Sequence, residues 1–515
     1  LILHYNINQF IMKRKYIKHS AAVILLGVIG FASCKKSFLE LQPAGQSLEA
    51  NYYSNPTEAF TGVVAAYDPL VAETGGTDNT YINPLGPLNS AADDCYAGGG
   101  GNTDVIAWQS WNNYTLSSAT GPQGGFWATN FAGISRCNLI LTKLDNVPGL
   151  SKADNKRYTA EVKFLRGHYY FDLVRLFKNV PLFTSPVNAN AIYDQPQATP
   201  EAVYAQVEAD LNAAITDLPE TIPASENGRA TKAAAIALLG KVLLYEKKWS
   251  AAAAQLALVN GTPGGTGPFG NKLLSNFGSI FSPENKFNSE AVFEIAHTGS
   301  QSYSWSNWNQ YKSNVYVQMI GARSYNGPIY WGGWGFNPIT ERLVTAMKGD
   351  PRYGYTIVNM DSLAKKNGSN YEGSYQGTGY HVQKYAPLLK YKAATGTAEL
   401  NFPNDYIEIR LADTYLMEAE ALLQGGGDAG RALALLSAVR ARVGLTPVAA
   451  TLPNIYNERR LELATEGHRW FDLVRTGEAP TALAFKGFKA GTNEILPIPL
   501  RDLTNTQLKQ NPGYN

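Results

Sequence analysis

Two kinds of side chain in this chain could do chemistry: clustered carboxylates and paired indoles. Glu458, Glu462, Glu466 and Arg469 follow one another at spacings of four and three, which predicts that they share one face of a helix. Paired carboxylates are what hydrolysis of a glycosidic bond needs. Here, however, Arg459, Arg460, Arg469 and Arg475 lie within helical reach. Arg forks between helices clamp carboxylates bidentately and fix register, so the block reads as a structural ion network. Arg166, Asp172, Arg175, Arg410, Asp413 and Glu418 read the same way. His168, His297, His381 and His468 are far apart, and no Ser in a Gly-x-Ser-x-Gly elbow accompanies them. The glycine run 98–101 lacks the Lys-Ser/Thr of a phosphate loop and reads as a flexible loop. Asp93-Asp94 could offer oxygen ligands to a structural calcium ion, but no twelve-residue ligand loop surrounds them. No catalytic residue, metal or cofactor is therefore expected.

The indoles are more informative. Trp127, Trp249 and Trp470 fall in helical patterns and read as core. The other six form three pairs, each spaced by three residues: Trp108 and Trp111, Trp305 and Trp308, Trp331 and Trp334. All lie in segments rich in Gly, Asn and Ser. Asn112, Tyr303, Arg323 and Tyr330 stand nearby. A sugar ring has an apolar C–H face and an equator of hydroxyls. A flat exposed indole covers the first, and amide or guanidinium groups bond the second. These ten residues are the predicted ligand-binding set. The competing reading is that the indoles anchor large loops, because Trp is mostly buried on average.

The rest of the chain must position these groups. Lys and Arg number 44 against 42 Asp and Glu, a balance that argues against a nucleic-acid partner, which calls for a clustered basic face. Four of the basic residues, Lys13, Arg14, Lys15 and Lys18, precede the apolar run 21–31. This is the pattern of a secretory signal, and the run is short of the roughly 20 residues of a membrane span. Residues 1–11, before Met12, read as an over-extended start. Phe31-Ala32-Ser33-Cys34 resembles a lipobox, which predicts lipidation of Cys34 and membrane attachment by several acyl chains. Cys95 and Cys137 could form one bridge; two buried free thiols are the plainer reading.

Helical periodicity is predicted over 56–72, 126–145, 152–178, 199–217, 230–247, 249–258, 406–424, 428–443 and 453–476. The Ala-rich pairs suit close antiparallel packing of the tetratricopeptide kind. Residues 73–121 and 260–400 read as long irregular insertions, with strand-like pieces such as 291–295. The prediction is a mainly α protein: a signal at 1–33, then one domain over 34–515. In it a helical scaffold over 50–258 and 404–480 carries loops and a few short strands that form the ligand face.

Several blocks carry a family resemblance. Phe164-Leu165-Arg166-Gly167-His168-Tyr169-Tyr170-Phe171-Asp172-Leu173-Val174-Arg175, Arg229-Ala230-Thr231-Lys232, Arg410-Leu411-Ala412-Asp413, Val439-Arg440-Ala441-Arg442 and Glu466-Gly467-His468-Arg469-Trp470-Phe471-Asp472 resemble hallmarks of the SusD/RagB family, in family order. The resemblance implies a tetratricopeptide-like helical bundle and a lipid-anchored outer-membrane protein facing the cell exterior. It further implies a non-enzymatic role: capture of a glycan and delivery to a SusC-type TonB-dependent transporter. Peptide capture by the same fold, or a scaffold role in the transporter complex, are the alternatives.

Overall fold

A computed structural model describes residues 52–72, 83–188, 191–300, 302–306 and 312–514, with backbone alone at 74–75, 80–81 and 307. The signal segment, Cys34 and Trp308 lie outside the described residues. Asn55–Asn515 form one compact unit.

The scaffold is built from helices with chemically defined starts. The side chains of Asn55, Ser151, Thr199, Thr231, Asp428 and Thr451 each accept a hydrogen bond from a first-turn backbone N–H. Each such cap contributes about 0.5–2 kcal/mol. Helix Gln123–Lys143 packs on Lys152–Phe177, which packs on Pro200–Asp217, and that in turn on Lys232–Tyr245. Trp249–Asn260 then bridges to Leu411–Gln424, which carries Ala429–Arg442 and Leu452–Glu462. Short links join Lys232–Tyr245 to Trp249–Asn260 and Leu411–Gln424 to Ala429–Arg442, the connection that makes helix pairs antiparallel, as in tetratricopeptide pairs. Small residues permit the close crossings. A Cβ at Gly240 would lie 2.5 Å from Leu256 Cγ, and one at Gly133 would overlap the Tyr169 ring.

Three departures from the periodicity matter. The pattern over 406–424 opens not as helix but as strand Tyr406–Arg410, antiparallel to Ala291–Ile295 with Ile295 opposite Tyr406 and Ala291 opposite Arg410. β-Branched Ile407 and Ile409 favour the pleat. The pattern over 453–476 breaks in two, Leu452–Glu462 and Arg469–Thr476. Between them the backbone turns through positive φ at Thr465 and Gly467, so Glu466 and Arg469 do not share the helical face of Glu458 and Glu462. Finally, much of 83–112 is core. Helix Leu85–Ala91 is wholly buried, and Ile106–Asn112 is buried from Ala107 onward. Helices buried all round show no amphipathic period, which is why this segment reads as loop.

The charged blocks converge in a buried network. Arg352 Nη1 lies 2.6 Å from Glu458 and 2.8 Å from Glu462. Arg410 reaches Glu290 at 2.9 Å, Glu462 at 2.5 Å and Glu466 at 2.7 Å. Lys384 meets Glu466 at 2.6 Å, and Arg459 joins Asp413 at 2.7 Å to Asp472 at 2.9 Å. Arg166 forks onto Asp210. Arg469 pairs with Asp93 at 2.8 Å, not with a carboxylate of its own block, and Arg460 pairs with Asp94 at 2.7 Å. Asp93 and Asp94 thus tie the 83–112 segment to the C-terminal helices through two arginines. Cys95 and Cys137 are both buried free thiols.

Candidate functional site

The candidate ligand face begins with a closed loop. The chain leaves over 321–325, loops round and comes alongside again over 330–335, where Arg323 and Gly333 are joined by an isolated parallel bridge. Gly333 packs directly on the Gly321 backbone, where any Cβ would overlap it. Gln318 grips the return limb: its carbonyl accepts from Trp334 N–H at 3.1 Å, and its side-chain amide donates to Gly332 O at 2.8 Å. Trp331 and Trp334 are displayed from this limb.

A second segment brings up Trp305. Asn401 accepts from Tyr303 N–H and donates back to Tyr303 O, both at 2.9 Å. This pair of hydrogen bonds fixes the entry to the short turn Trp305–Asn307. The Trp305 and Trp334 indoles then lie stacked, ring centroids 6.1 Å apart and planes inclined by 23°. Trp305 is 47% exposed and Trp334 is half-buried. Trp331 is also half-buried, but Lys392 Nζ sits 4.2 Å over its ring, a cation–π contact.

Polar groups frame the stacked pair. Arg323 Nε donates to Glu372 Oε2 at 3.2 Å, and Glu372 N–H donates to Arg323 O at 2.8 Å. Three residues on, Tyr375 N–H donates to Gly99 O at 2.8 Å, while Gly99 N–H donates to Gly335 O at 2.9 Å. The glycine run 98–101, read from the sequence as a flexible loop, is therefore a fitted edge of the site. Gly98 and Gly99 hold positive φ, and a Cβ at Gly98 would overlap Gly335 O.

The ten predicted residues divide sharply. Trp305 and Trp334 stack, with Arg323 against Gly335 next to Trp334, while Trp331 lies on the same limb under Lys392. Trp108 and Trp111 do not: both are fully buried, Trp108 edge-on to Phe336 at 5.2 Å and Trp111 edge-on to Trp470 at 5.1 Å. They hold the 83–112 segment onto the scaffold. Asn112 is buried as well, its Oδ1 accepting from Ala97 N–H at 3.2 Å. Tyr303 and Tyr330 are buried behind the face, and Tyr330 donates to Gln383 at 2.6 Å; they support the loops and offer no open ring. Trp308 lies outside the described residues. Lys392, Glu372 and the glycine edge escape sequence reasoning, although the run Lys390-Tyr391-Lys392 carries the same mix of cation and aromatic.

Chemically, the face offers flat apolar rings beside an exposed guanidinium–carboxylate pair. That suits the two faces of a sugar ring. The carboxylates of the C-terminal blocks, by contrast, are buried and clamped by Arg or Lys. Among the described residues no group of three or more His, Cys, Asp and Glu could hold a metal ion, and no helix is long and apolar enough to cross a membrane.

Comparison with known proteins agrees with this picture. A family model described as starch-binding and associating with the outer membrane matches residues 84–244, and the SusD family model matches 279–514. A laminarin-binding SusD-like protein of known structure is 46% identical, with a TM-score of 0.85 over 90% of this chain and all of that one. Surface glycan-binding protein A from Bacteroides thetaiotaomicron, solved in complex with laminarihexaose, is 27% identical, with a TM-score of 0.79 over 89% of this chain and 99% of that one. The starch-binding protein SusD of the same organism is 23% identical over 98% of this chain and its own full length. With two family models spanning both halves of the scaffold, and near half of its residues shared with one solved relative, this chain belongs to the SusD family.

Proposed function

We propose that the protein is a non-catalytic glycan-capture lipoprotein of the outer membrane, and that its ligand is a laminarin-type glucan. The stacked Trp305–Trp334 pair beside Arg323 and Glu372 carries this reading. It presents ring faces to the sugar C–H surface and polar groups to the hydroxyls, and the relative that shares 46% of its residues is named for laminarin binding. In this reading Cys34 is the lipid anchor, the protein faces the cell exterior, and a SusC-type TonB-dependent transporter receives the captured glycan.

Calorimetric titration of the mature chain with laminarihexaose tests this. Shallow stacking surfaces bind with micromolar to millimolar Kd, about −8 to −4 kcal/mol. Trp305→Ala or Trp334→Ala should weaken binding at least about tenfold, since central aromatic anchors carry about 2 kcal/mol or more each. The melting temperature should stay nearly constant and the oligosaccharide should be recovered uncleaved. Unchanged affinity in both variants, or shortened oligosaccharides, would refute the reading.

A further inference from the structure

A cleft of about 240 Å³ lies between the 220–231 loop and strand Ala291–Ile295, and it shares no residue with the tryptophan face. Its charged lining groups are all compensated from within. Arg229 spends its guanidinium on Glu161 at 2.6 and 3.0 Å and on Glu226 at 2.8 Å. Glu220 stands 3.7 Å from Lys232. Glu294 is buried, and burial together with the neighbouring Asp405 carboxylate pushes its carboxyl up to about 9, so it is a neutral acid at pH 7. The cleft therefore presents no uncompensated charge to draw a phosphate, a carboxylate or a cation.

What is left is neutral and amphipathic. Phe269 and Phe287 are half-buried in its walls. Asn271 donates its amide to Ser289 O and Ala291 O, which leaves its side-chain carbonyl as an acceptor. Asn227 is exposed at the rim, with both its donor and its acceptor available. Apolar walls with a few placed amides suit a neutral polyhydroxylated ring. The volume is below the roughly 300–1,000 Å³ of pockets that enclose drug-sized ligands, so it suits a single ring and not a chain. We propose that this cleft is a second carbohydrate subsite that takes one neutral hexose unit, at a chain end or a branch. The proposal stands independently of the tryptophan face.

Saturation-transfer NMR on the mature chain tests it, with methyl β-D-glucopyranoside, methyl β-D-galactopyranoside and methyl α-D-mannopyranoside as probes. Transfer to at least one probe should persist in the Trp305→Ala/Trp334→Ala variant. It should fall at least about fivefold when Phe269→Ala/Asn227→Ala is added to that variant, while Phe269→Ala/Asn227→Ala alone keeps its laminarihexaose affinity within about twofold. If Phe269→Ala lowers the melting temperature, Asn227→Leu alone replaces it, since Asn227 is exposed. Absence of transfer to all three probes in the wild type overturns the proposal. So does transfer that vanishes with the tryptophans, or that survives the cleft substitutions unchanged. Failure of the tryptophan face alone would leave this cleft's signal intact, so the two readings separate.

Discussion

At the scale of single residues, the most demanding side chain is Arg410. It is almost wholly buried and uses each of its nitrogens. Nε donates to Glu466 at 2.7 Å, Nη1 to Glu290 at 2.9 Å and Glu462 at 2.5 Å, and Nη2 to Glu462 O at 2.8 Å and Glu466 at 2.9 Å. Three buried carboxylates depend on it. Breaking a buried pair by removing one partner costs about 3–5 kcal/mol, because the surviving charge is left in a poor solvent. Arg410→Met should therefore lower unfolding free energy by at least that much in urea titration. Arg410→Lys should recover little of it, since an ammonium cannot reproduce the planar fork. Laminarihexaose affinity per folded molecule should not change in either. A selective loss of binding at constant stability would move Arg410 from the scaffold to the site.

At the scale of elements, close helix approach depends on glycines that no pattern of hydrophobicity reveals. Gly133 in Gln123–Lys143 lies against the ring of Tyr169 in Lys152–Phe177. That ring cannot swing away: it is buried and its hydroxyl donates to Ala66 O at 2.7 Å. Gly133→Ala gains about 1 kcal/mol of helix propensity but overpacks the crossing at about 1–3 kcal/mol. The melting temperature should fall, and Gly133→Leu should fall further; a rise on Gly133→Ala would show that the crossing is loose. The long scaffold helices were legible because their period of 3.6 and their Ser and Thr caps stand in the sequence, and Ala291–Ile295 because Val292, Phe293 and Ile295 are apolar and β-prone. Leu85–Ala91 was illegible because a short helix buried on all sides has no polar face to set a period. The same fact misled the reading of Trp108 and Trp111. In a stretch of Gly, Asn and Thr their pairing looks like that of Trp331 and Trp334, and only packing against Phe336 and Trp470 separates core indoles from platform indoles. Glu466 was placed on the wrong helical face because the helix ends at Glu462 and a turn through positive φ at Thr465 interrupts what reads as one continuous pattern.

Across the whole molecule, attachment and pH response are the properties to test. If Cys34 is the anchor, Cys34→Ser in a Bacteroidetes host should shift the protein from the membrane pellet to the soluble fraction; a variant that still pellets is held by something else. The pH response follows from the buried charges. Burial alone would raise the Asp472 carboxyl, but Arg459 and Arg475 more than offset that and hold it at about 2. Asp413, Glu408, Glu462 and Glu466 are likewise raised by burial and brought below their ordinary values by Arg, Lys or His neighbours. A carboxyl lowered by folding contributes stability that is complete above its unfolded value and is lost as pH falls through the folded one. For Asp472 that window runs from about pH 4 to 2 and is worth about 2 kcal/mol. Glu294 has the opposite sign. Its folded value near 9 means that its contribution is complete below about pH 4.5 and shrinks as pH rises. Lys486 and Lys384, lowered by burial to about 7 and about 8, reverse this above neutrality, because the unfolded chain keeps their protons and the folded one releases them. His381 and His468, lowered by burial to about 4, stay neutral in the fold where the unfolded chain still binds protons, so between about pH 4 and 6.5 they outweigh the opposing Glu294. Stability should therefore collapse below about pH 4, climb to about pH 6.5 with a slope that Glu294 reduces, and climb again above about pH 8. Glu294→Gln isolates the middle limb: the neutral amide keeps the size of the group and takes no part in titration. Between pH 5 and 7 the stability of that variant should rise relative to the wild type by about 1.4 kcal/mol per pH unit, while the acid collapse stays. If the Glu294→Gln and wild-type curves run parallel across that interval, the Glu294 proton makes no such contribution.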